Sequence, residues 1–250
     1  MMTRFFATIA AVIYLTTCTA WAGQRLTIVR GQNFPPYHYL DEKGELTGFI
    51  IDIITGVSHT LTLDIRFAQY PWSRCLHLVK IGEADAMMNL FKTPERETFM
   101  IFEEAILTWE VNMFFTLKSS QVLFTGNLDE LKGKRIGAVR NYSYGEHFDT
   151  HSPELNILRL ETENGLLRNL LNRRCDIIIG NPIVLRTLAG QIPGGEDIVT
   201  TGPRVTNDPL YIGFSKAKGH ELLARRFSDA LKQFKAGADY RAILKKYNIH

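Results

Sequence analysis

Short apolar runs alternate with amphipathic segments along most of the sequence. Residues 26–29, 63–67 and 85–90 have the apolar, β-branched character of strands. Between them, residues 49–61 and 72–82 carry apolar side chains at helical spacing. Strands that alternate with helices in this way predict a parallel sheet with helices packed on its faces.

The same order of elements recurs later in the sequence, after a long apolar and aromatic segment at residues 105–117. The second set comprises a short helix at 128–131, strands at 133–139, 157–160 and 176–180, and helices starting near Tyr144 and spanning 164–172. This repetition predicts two βαβ lobes.

The last part of the sequence has too few elements for a third domain. It contains a strand at 210–214 and helices at 220–234 and 239–247. We therefore expect it to return to the first lobe, so that two crossover strands join the lobes into a hinged clamshell. The predicted first lobe comprises residues 23–112 and 207–250, and the second comprises 113–206.

The first 22 residues have the pattern of a cleavable signal peptide. Arg4 is followed by an apolar stretch too short to cross a bilayer, and Ala20-Trp-Ala22 fits the small residues that precede signal peptidase cleavage. Cleavage is expected after Ala22, in preference to lipoprotein processing at Cys18. The protein is therefore expected in the periplasm.

Composition and charge exclude several classes of protein. Hydrophobic residues make up 45% and charged residues 22% of the chain, which is ordinary for a globular protein. The net charge of +3 is small and dispersed, so no nucleic-acid partner is expected. Cys75 and Cys175 fall in different predicted lobes, where a disulfide would restrain the hinge, and they are expected to be two buried thiols.

Arg96 is the first candidate for a binding residue. It lies about one helical turn beyond a predicted strand, in a segment that contains Thr93-Pro-Glu. In open α/β sheets, ligands bind beyond the carboxyl ends of the strands. Because a guanidinium can bind a carboxylate through two parallel hydrogen bonds, Arg96 predicts a site for a small carboxylate-bearing solute.

Several short motifs occur in an order that resembles a known family. They are Phe34-Pro-Pro-Tyr37, Leu46-Thr-Gly-Phe49, Gly82-Glu-Ala-Asp85, Thr93-Pro-Glu-Arg96, Leu131-Lys-Gly-Lys-Arg-Ile-Gly137, Asn172-Arg-Arg-Cys-Asp176, Gly237-Ala-Asp-Tyr240 and Ile243-Leu-Lys-Lys-Tyr247. In this order the chain resembles the bacterial extracellular solute-binding proteins of family 3, the periplasmic polar-amino-acid receptors of ABC importers. The resemblance implies the type II periplasmic-binding-protein clamshell, a monomer, no cofactor, and an ABC permease or a sensor protein as the membrane partner.

The resemblance also implies a set of ligand-binding residues. Arg96 falls where the family binds the ligand carboxylate, and the loop from the other lobe falls on Asn141, Tyr142 and Ser143. Aromatic side chains at Phe34, Tyr37 and Trp72 and backbone groups at Asn89, Leu90 and Phe91 are expected to contact the ligand. The last position of the set is Asn181.

Asn181 departs from the family pattern. Amino-acid receptors of the family usually have an aspartate there, which binds the α-ammonium group of the ligand. Asparagine offers a carbonyl acceptor without charge, and a buried ammonium without a counter-charge loses about 3–5 kcal/mol. Either the ligand lacks a free ammonium group or another acid, for which Asp208 is a candidate, supplies the charge.

Two alternative functions stay open. Some proteins of this fold, the periplasmic cyclohexadienyl dehydratases, are enzymes, but no acid or base is evident at the mapped positions. A member that binds only a protein partner is the other alternative. His147 and His151 are spaced as a possible metal pair, yet no third ligand is evident and no metal site is expected.

Overall fold

The computed structural model describes residues 25–120 and 122–249. The predicted signal peptide, its cleavage site and Cys18 lie outside the described residues. The strands are β1 (Arg25–Arg30), β2 (Tyr39–Leu40), β3 (Leu46–Thr47), β4 (Asp64–Gln69), β5 (Ala86–Phe91), β6 (Met100–Ile101), β7 (Thr108–Leu117), β8 (Ile136–Val139), β9 (Ile157–Leu160), β10 (Ile177–Gly180) and β11 (Ile198–Ser215). The α-helices are α1 (Phe49–Thr60), α2 (Trp72–Lys80), α3 (Pro94–Glu97), α4 (Glu146–His151), α5 (Glu163–Leu171), α6 (Pro182–Ala189), α7 (Glu221–Ala236) and α8 (Ala238–Lys246).

One curled, mixed sheet organises the molecule. Its strand order is β4-β1-β5-β11-β7-β10-β8-β9, with β6 also paired to β11. Strand β1 is parallel to β4 and β5, and β8 is parallel to β9 and β10. Strands β7 and β11 run antiparallel to each other between these two parallel groups. The chain therefore has the predicted α/β clamshell fold, in which two lobes are joined by two long strands.

The predicted lobe boundaries fall inside these long strands. Strand β11 pairs with β7 from Ile198 to Leu210, with a register shift between Thr201 and Thr206. The sequence pattern predicted only its last part as a strand. The boundaries after residues 112 and 206 stay predictions.

Helix α1 forms as the spacing of its apolar residues predicts. Phe49, Ile50, Ile53, Ile54 and Val57 are all buried, whereas the polar end of the helix is exposed. Burial of this one face stabilises the helix far more than its intrinsic propensity does.

The last two helices pack against helix α1. The Tyr247 hydroxyl donates a hydrogen bond to Asp52 Oδ2 at 3.0 Å, and Lys246 Nζ lies 2.8 Å from the same oxygen. In α7, Phe234 approaches Gly56 of α1 so closely that a Cβ at Gly56 would lie 2.4 Å from the ring. These contacts tie the end of the described chain to the helix at its beginning.

The start of helix α4, the presence of helix α6 and the state of the two cysteines complete the comparison of predicted and observed structure. Helix α4 begins at Glu146 rather than near Tyr144, because Tyr144 is buried in the core and Gly145 precedes the helix. Helix α6 was not predicted, since it is only eight residues long. Cys75 and Cys175 are free and buried, as predicted.

None of the helices within residues 25–120 and 122–249 combines the length and apolar composition that a membrane crossing requires.

Candidate functional site

Arg96 lies between the two lobes. Thr93 caps the short helix α3 by accepting a hydrogen bond from the backbone N–H of Arg96. This hydrogen bond holds the backbone of Arg96 in place and so sets where its side chain begins. Its side chain is only 5% exposed. Nη1 donates to the carbonyl of Phe91 at 2.8 Å, and Nη2 donates across the gap to the carbonyl of Asn141 at 3.2 Å. Burial lowers the pKa of Arg96 to about 10, so the guanidinium remains charged at neutral pH.

The loop from Asn141 to Ser143 contacts the opposite lobe. Asn141 has a φ of +59°, a left-handed conformation that asparagine tolerates better than most residues. Its carbonyl accepts hydrogen bonds from Arg96 and from Nε1 of Trp72, at 2.9 Å for the latter. Its side-chain amide donates to Ser73 Oγ at 2.9 Å. The ring of Tyr142 packs 4.6 Å from that of Trp72, so the loop closes directly on α2.

The two ends of the Asn181 side chain have different partners. Oδ1 accepts hydrogen bonds from the backbone N–H groups of Ile183 and Val184, and so caps α6. Nδ2 donates to the Tyr37 hydroxyl of the other lobe at 2.9 Å. The Asn181 carbonyl, expected to be available to a ligand, is therefore occupied by the helix that follows β10.

Two glutamates that the sequence analysis did not single out also lie in the gap between the lobes. Glu110 on β7 is 6% exposed, and Glu163 at the start of α5 is 5% exposed. Burial raises the pKa of Glu110 to about 8, with a further rise from Glu163, while a hydrogen bond from Asn181 opposes the shift. Burial also raises the pKa of Glu163, opposed in part by a hydrogen bond from Tyr142.

A β-bulge directs Asn89 toward the same region. On β5, Leu90 pairs with Tyr211 and Met88 pairs with Ile212, so Asn89 has no residue opposite it. Its φ of +61° is again left-handed. Bulges commonly redirect a side chain next to a binding site.

These residues surround a cavity of about 40 Å³ between the lobes. Its walls include most of the predicted site residues, together with Glu110 and Glu163. The predicted residues that line it are Phe34, Trp72, Asn89, Leu90, Phe91 and Arg96 from the first lobe, and Tyr142, Ser143 and Asn181 from the second. Beyond Arg96 the gap widens into an outer cleft of about 620 Å³, and Asn141 lines that cleft.

Tyr37 and Asn141 are the two predicted residues outside the cavity wall. Tyr37 is buried behind it, where it accepts the Asn181 hydrogen bond, and Asn141 takes part through its carbonyl. Asp208 also lies outside the wall. It pairs with Glu110 in the register of β7 and β11, and Glu110 lines the cavity where Asp208 does not.

One signal in the sequence could have identified Glu110. It is the single charged residue within the apolar and aromatic run from Thr108 to Leu117. Glu163 gives no comparable signal, because an acidic residue in the first turn of a helix is common for electrostatic reasons alone.

Two lobes of α/β structure that enclose a buried arginine in a narrow gap define the class of the protein, a hinged solute receptor. A family model for the bacterial extracellular solute-binding proteins, family 3, matches residues 26–250, and the chain belongs to this family. It is a solute-binding protein.

Individual relatives are distant but cover nearly the whole chain. The chain is 23% identical to the arginine-binding periplasmic protein of Mannheimia haemolytica over 92% of its own length and 94% of that protein. It is 24% identical to a probable histidine-binding protein of Neisseria gonorrhoeae, over 90% of its length and 83% of that protein.

Solved structures show the same fold. An ancestral arginine-binding protein bound to arginine superposes with a TM-score of 0.76 at 20% identity, covering 89% of this chain and 97% of that one. A histidine kinase sensor domain similar to periplasmic binding proteins superposes with a TM-score of 0.78 at 17% identity, covering 90% and 96%.

Proposed function

We propose that this protein captures a small solute bearing a carboxylate, an amino acid or a close relative, in the gap between its lobes. The observation that carries the proposal is the placement of Arg96. Its guanidinium is buried at the meeting of the two lobes and already donates to one carbonyl from each side. A ligand carboxylate that replaced these neutral acceptors would form stronger, charge-assisted hydrogen bonds.

Binding requires the lobes to separate. The cavity of about 40 Å³ can hold little more than a water molecule or a group of similar size. The solute enters the open form, and closure brings the Asn141–Ser143 loop onto its carboxylate. The ligand shifts the equilibrium toward the closed form only as far as it prefers that form over the open one.

The proposed role is delivery of the solute to an ABC importer in the periplasm. Membership of the family and the relatives named for arginine and histidine binding support this role. In this role the protein acts as a monomer, and the permease of the importer recognises its closed form. The predicted signal peptide, cleaved after Ala22, would export it.

A periplasmic dehydratase is the second candidate, which one observation favours. Glu110 lies in the cavity wall with a pKa of about 8, and a carboxylic acid that is protonated near neutral pH can act as a general acid. Turnover of prephenate or arogenate by the purified protein would establish the enzyme. We favour the receptor because the family binds solutes.

A thermal-shift screen of amino acids, dicarboxylates and aromatic acids tests the receptor. A ligand present at a hundred times its Kd stabilises the folded protein by about 2.7 kcal/mol and raises the Tm. Arg96→Lys keeps the charge without the planar fork, and Arg96→Ala removes both. We expect the ligand-induced shift to fall in Arg96→Lys and to vanish in Arg96→Ala.

The matched control is Arg74→Ala, which removes an exposed arginine of α2 that pairs with Glu83. This variant should retain the full shift. A full shift in Arg96→Ala would remove Arg96 from the site and overturn the proposal.

A further inference from the structure

Three buried side-chain oxygens in the cavity wall accept no hydrogen bond from any described residue. They are Oε2 of Glu110, Oε1 of Glu163 and Oδ1 of Asn89. Each side chain is at least nine-tenths buried. Buried acceptors in native proteins nearly always have a partner, so three in the wall of one cavity indicate a ligand group that donates hydrogen bonds.

We infer that Glu110, Glu163 and Asn89 form the subsite for a cationic group of the ligand, an ammonium in the first instance. This inference rests on the proposed function, because it assigns the second end of the same solute. The acid would thus come from the crossover strand β7 and the start of α5 rather than from the end of β10.

The number and kind of groups match an ammonium ion. An ammonium carries three N–H donors and no acceptor, and the three oxygens are acceptors. The cavity of about 40 Å³ has room for a group of that size. Arg96 lines the same cavity, so a solute with a carboxylate and an ammonium can reach both partners.

The hydrogen bonds of Asn181 prevent its side chain from binding the ammonium group. Its carbonyl oxygen caps α6, and its amide donates toward Tyr37 and the carboxyl of Glu110. The side chain therefore presents donors, which repel an ammonium, and it orients Glu110 instead. This arrangement accounts for an asparagine at a position where the family usually has an aspartate.

Binding of a cation should release a proton at neutral pH. Without a cation, burial favours the protonated carboxyl of Glu110, and a nearby ammonium favours the carboxylate. The groups that face the two glutamates are Asn181, Tyr37, Tyr142 and Tyr144, and burial raises the pKa of all three tyrosines above that of any carboxyl. The released proton therefore comes from the glutamates.

The test compares three forms of one solute by calorimetry. L-Arginine is measured beside guanidinovalerate, which lacks the α-ammonium, and agmatine, which lacks the carboxylate. L-Histidine, imidazolepropionate and histamine form a second set, and the remaining common amino acids are screened in the same way. We expect an amino acid to bind at least about 100-fold more tightly than its deaminated form. Its apparent enthalpy should change with the ionisation enthalpy of the buffer, as proton release requires.

Substitutions locate the effect. Glu110→Gln and Glu163→Gln preserve shape but remove the charge, and each should reduce the preference for the amino acid over its deaminated form. Glu42→Gln, at an exposed turn, is the control and should leave the preference unchanged. In Glu110→Gln/Asn181→Asp the acid is moved to the end of β10, and part of the preference should return.

The outcomes separate this inference from the proposed function. Equal affinity for the amino acid and its deaminated form, lost in Arg96→Ala, would overturn the cationic subsite and leave the carboxylate receptor intact. Amines that bind as well as amino acids would overturn the carboxylate receptor and leave the cationic subsite. No binding in any set would count against both.

Discussion

At the scale of single residues, the site depends on which atoms are already occupied. Asn181 has the residue type to accept a hydrogen bond from a ligand, but its oxygen caps a helix. Glu110 has an oxygen that accepts no hydrogen bond from any described residue, and Glu110 lies in the cavity wall. The sequence shows the residue types, whereas only the structure shows which atoms have partners.

Glu110 should make the stability of the ligand-free protein depend on pH. Its pKa rises from 4.5 in the unfolded chain to about 8 in the folded protein, so the folded state binds the proton more tightly. This contribution is fully present below pH 4.5 and is lost as the pH rises toward 8. Between pH 5 and pH 8 the free energy of unfolding should fall by roughly 3 kcal/mol from this group alone.

Urea denaturation at several pH values measures this dependence. Glu110→Gln should flatten the decline, and Glu42→Gln should reproduce the wild-type curve. An identical decline in Glu110→Gln would show that the Glu110 carboxyl does not change protonation on folding.

At the scale of elements, prediction succeeded where periodicity is strong. Strand β9 and helices α1 and α5 were predicted to within one residue at each end or better. In the two helices the apolar residues that give the periodic signal are buried. Helix α6 was missed, since its eight residues give little periodic signal. Much of β11 was missed because its middle part, Gly202-Pro-Arg204, is exposed and has no alternation of apolar and polar residues.

The sequence predicted those site residues that follow strands and missed those whose position depends on distant parts of the chain. Arg96 and the Asn141–Ser143 loop follow strands, and a topological rule placed them at the gap. Glu163 and the bulge at Asn89 depend on long-range packing, which local sequence does not encode.

Gly48, which precedes α1, should tolerate no side chain. Its φ is +128°, and a Cβ there would lie 2.3 Å from the carbonyl oxygen of Tyr37. Because backbone cannot move aside cheaply, Gly48→Ala should lower the free energy of unfolding by about 3 kcal/mol. The matched control is Gly44→Ala, where φ is +78° and a Cβ meets nothing within 4 Å.

Urea denaturation of both variants gives the comparison. Gly44→Ala should cost only about 1 kcal/mol, the strain of a left-handed alanine. Equal losses in the two variants would contradict the role assigned to the Tyr37 contact.

At the scale of the whole molecule, direct hydrogen bonds between described residues hold the lobes together around the cavity. They join Trp72, Arg96 and Ser73 to Asn141, and Tyr37 to Asn181. Every residue in these hydrogen bonds is a predicted ligand contact or, for Ser73, the neighbour of one. Opening therefore exposes the binding groups and breaks the bonds that hold the closed form at the same time.

A reversible cross-link should separate opening from binding. Ser73 Oγ and Asn141 Nδ2 are 2.9 Å apart, so Ser73→Cys/Asn141→Cys brings two thiols close enough for a mild oxidant to join them as a disulfide. Cys75 and Cys175 are buried, and burial raises both of their pKa values, so they should react slowly.

The linked protein should bind no added solute, and reduction of the disulfide should restore binding. Thermal shift before and after cleavage measures both states. An equal ligand-induced shift in the linked and the cleaved protein would show that solutes enter without separation of the lobes.

Glu110 lies on β7, one of the two strands that connect the lobes. A residue on a connecting strand stays near the hinge, whereas Arg96 and the Asn141–Ser143 loop move with opposite lobes. We therefore expect the amine end of a solute to bind Glu110 before the lobes close, and the carboxylate to bind last. In such a sequence of events, Glu110 would govern how fast a solute is first retained, and Arg96 how long it stays.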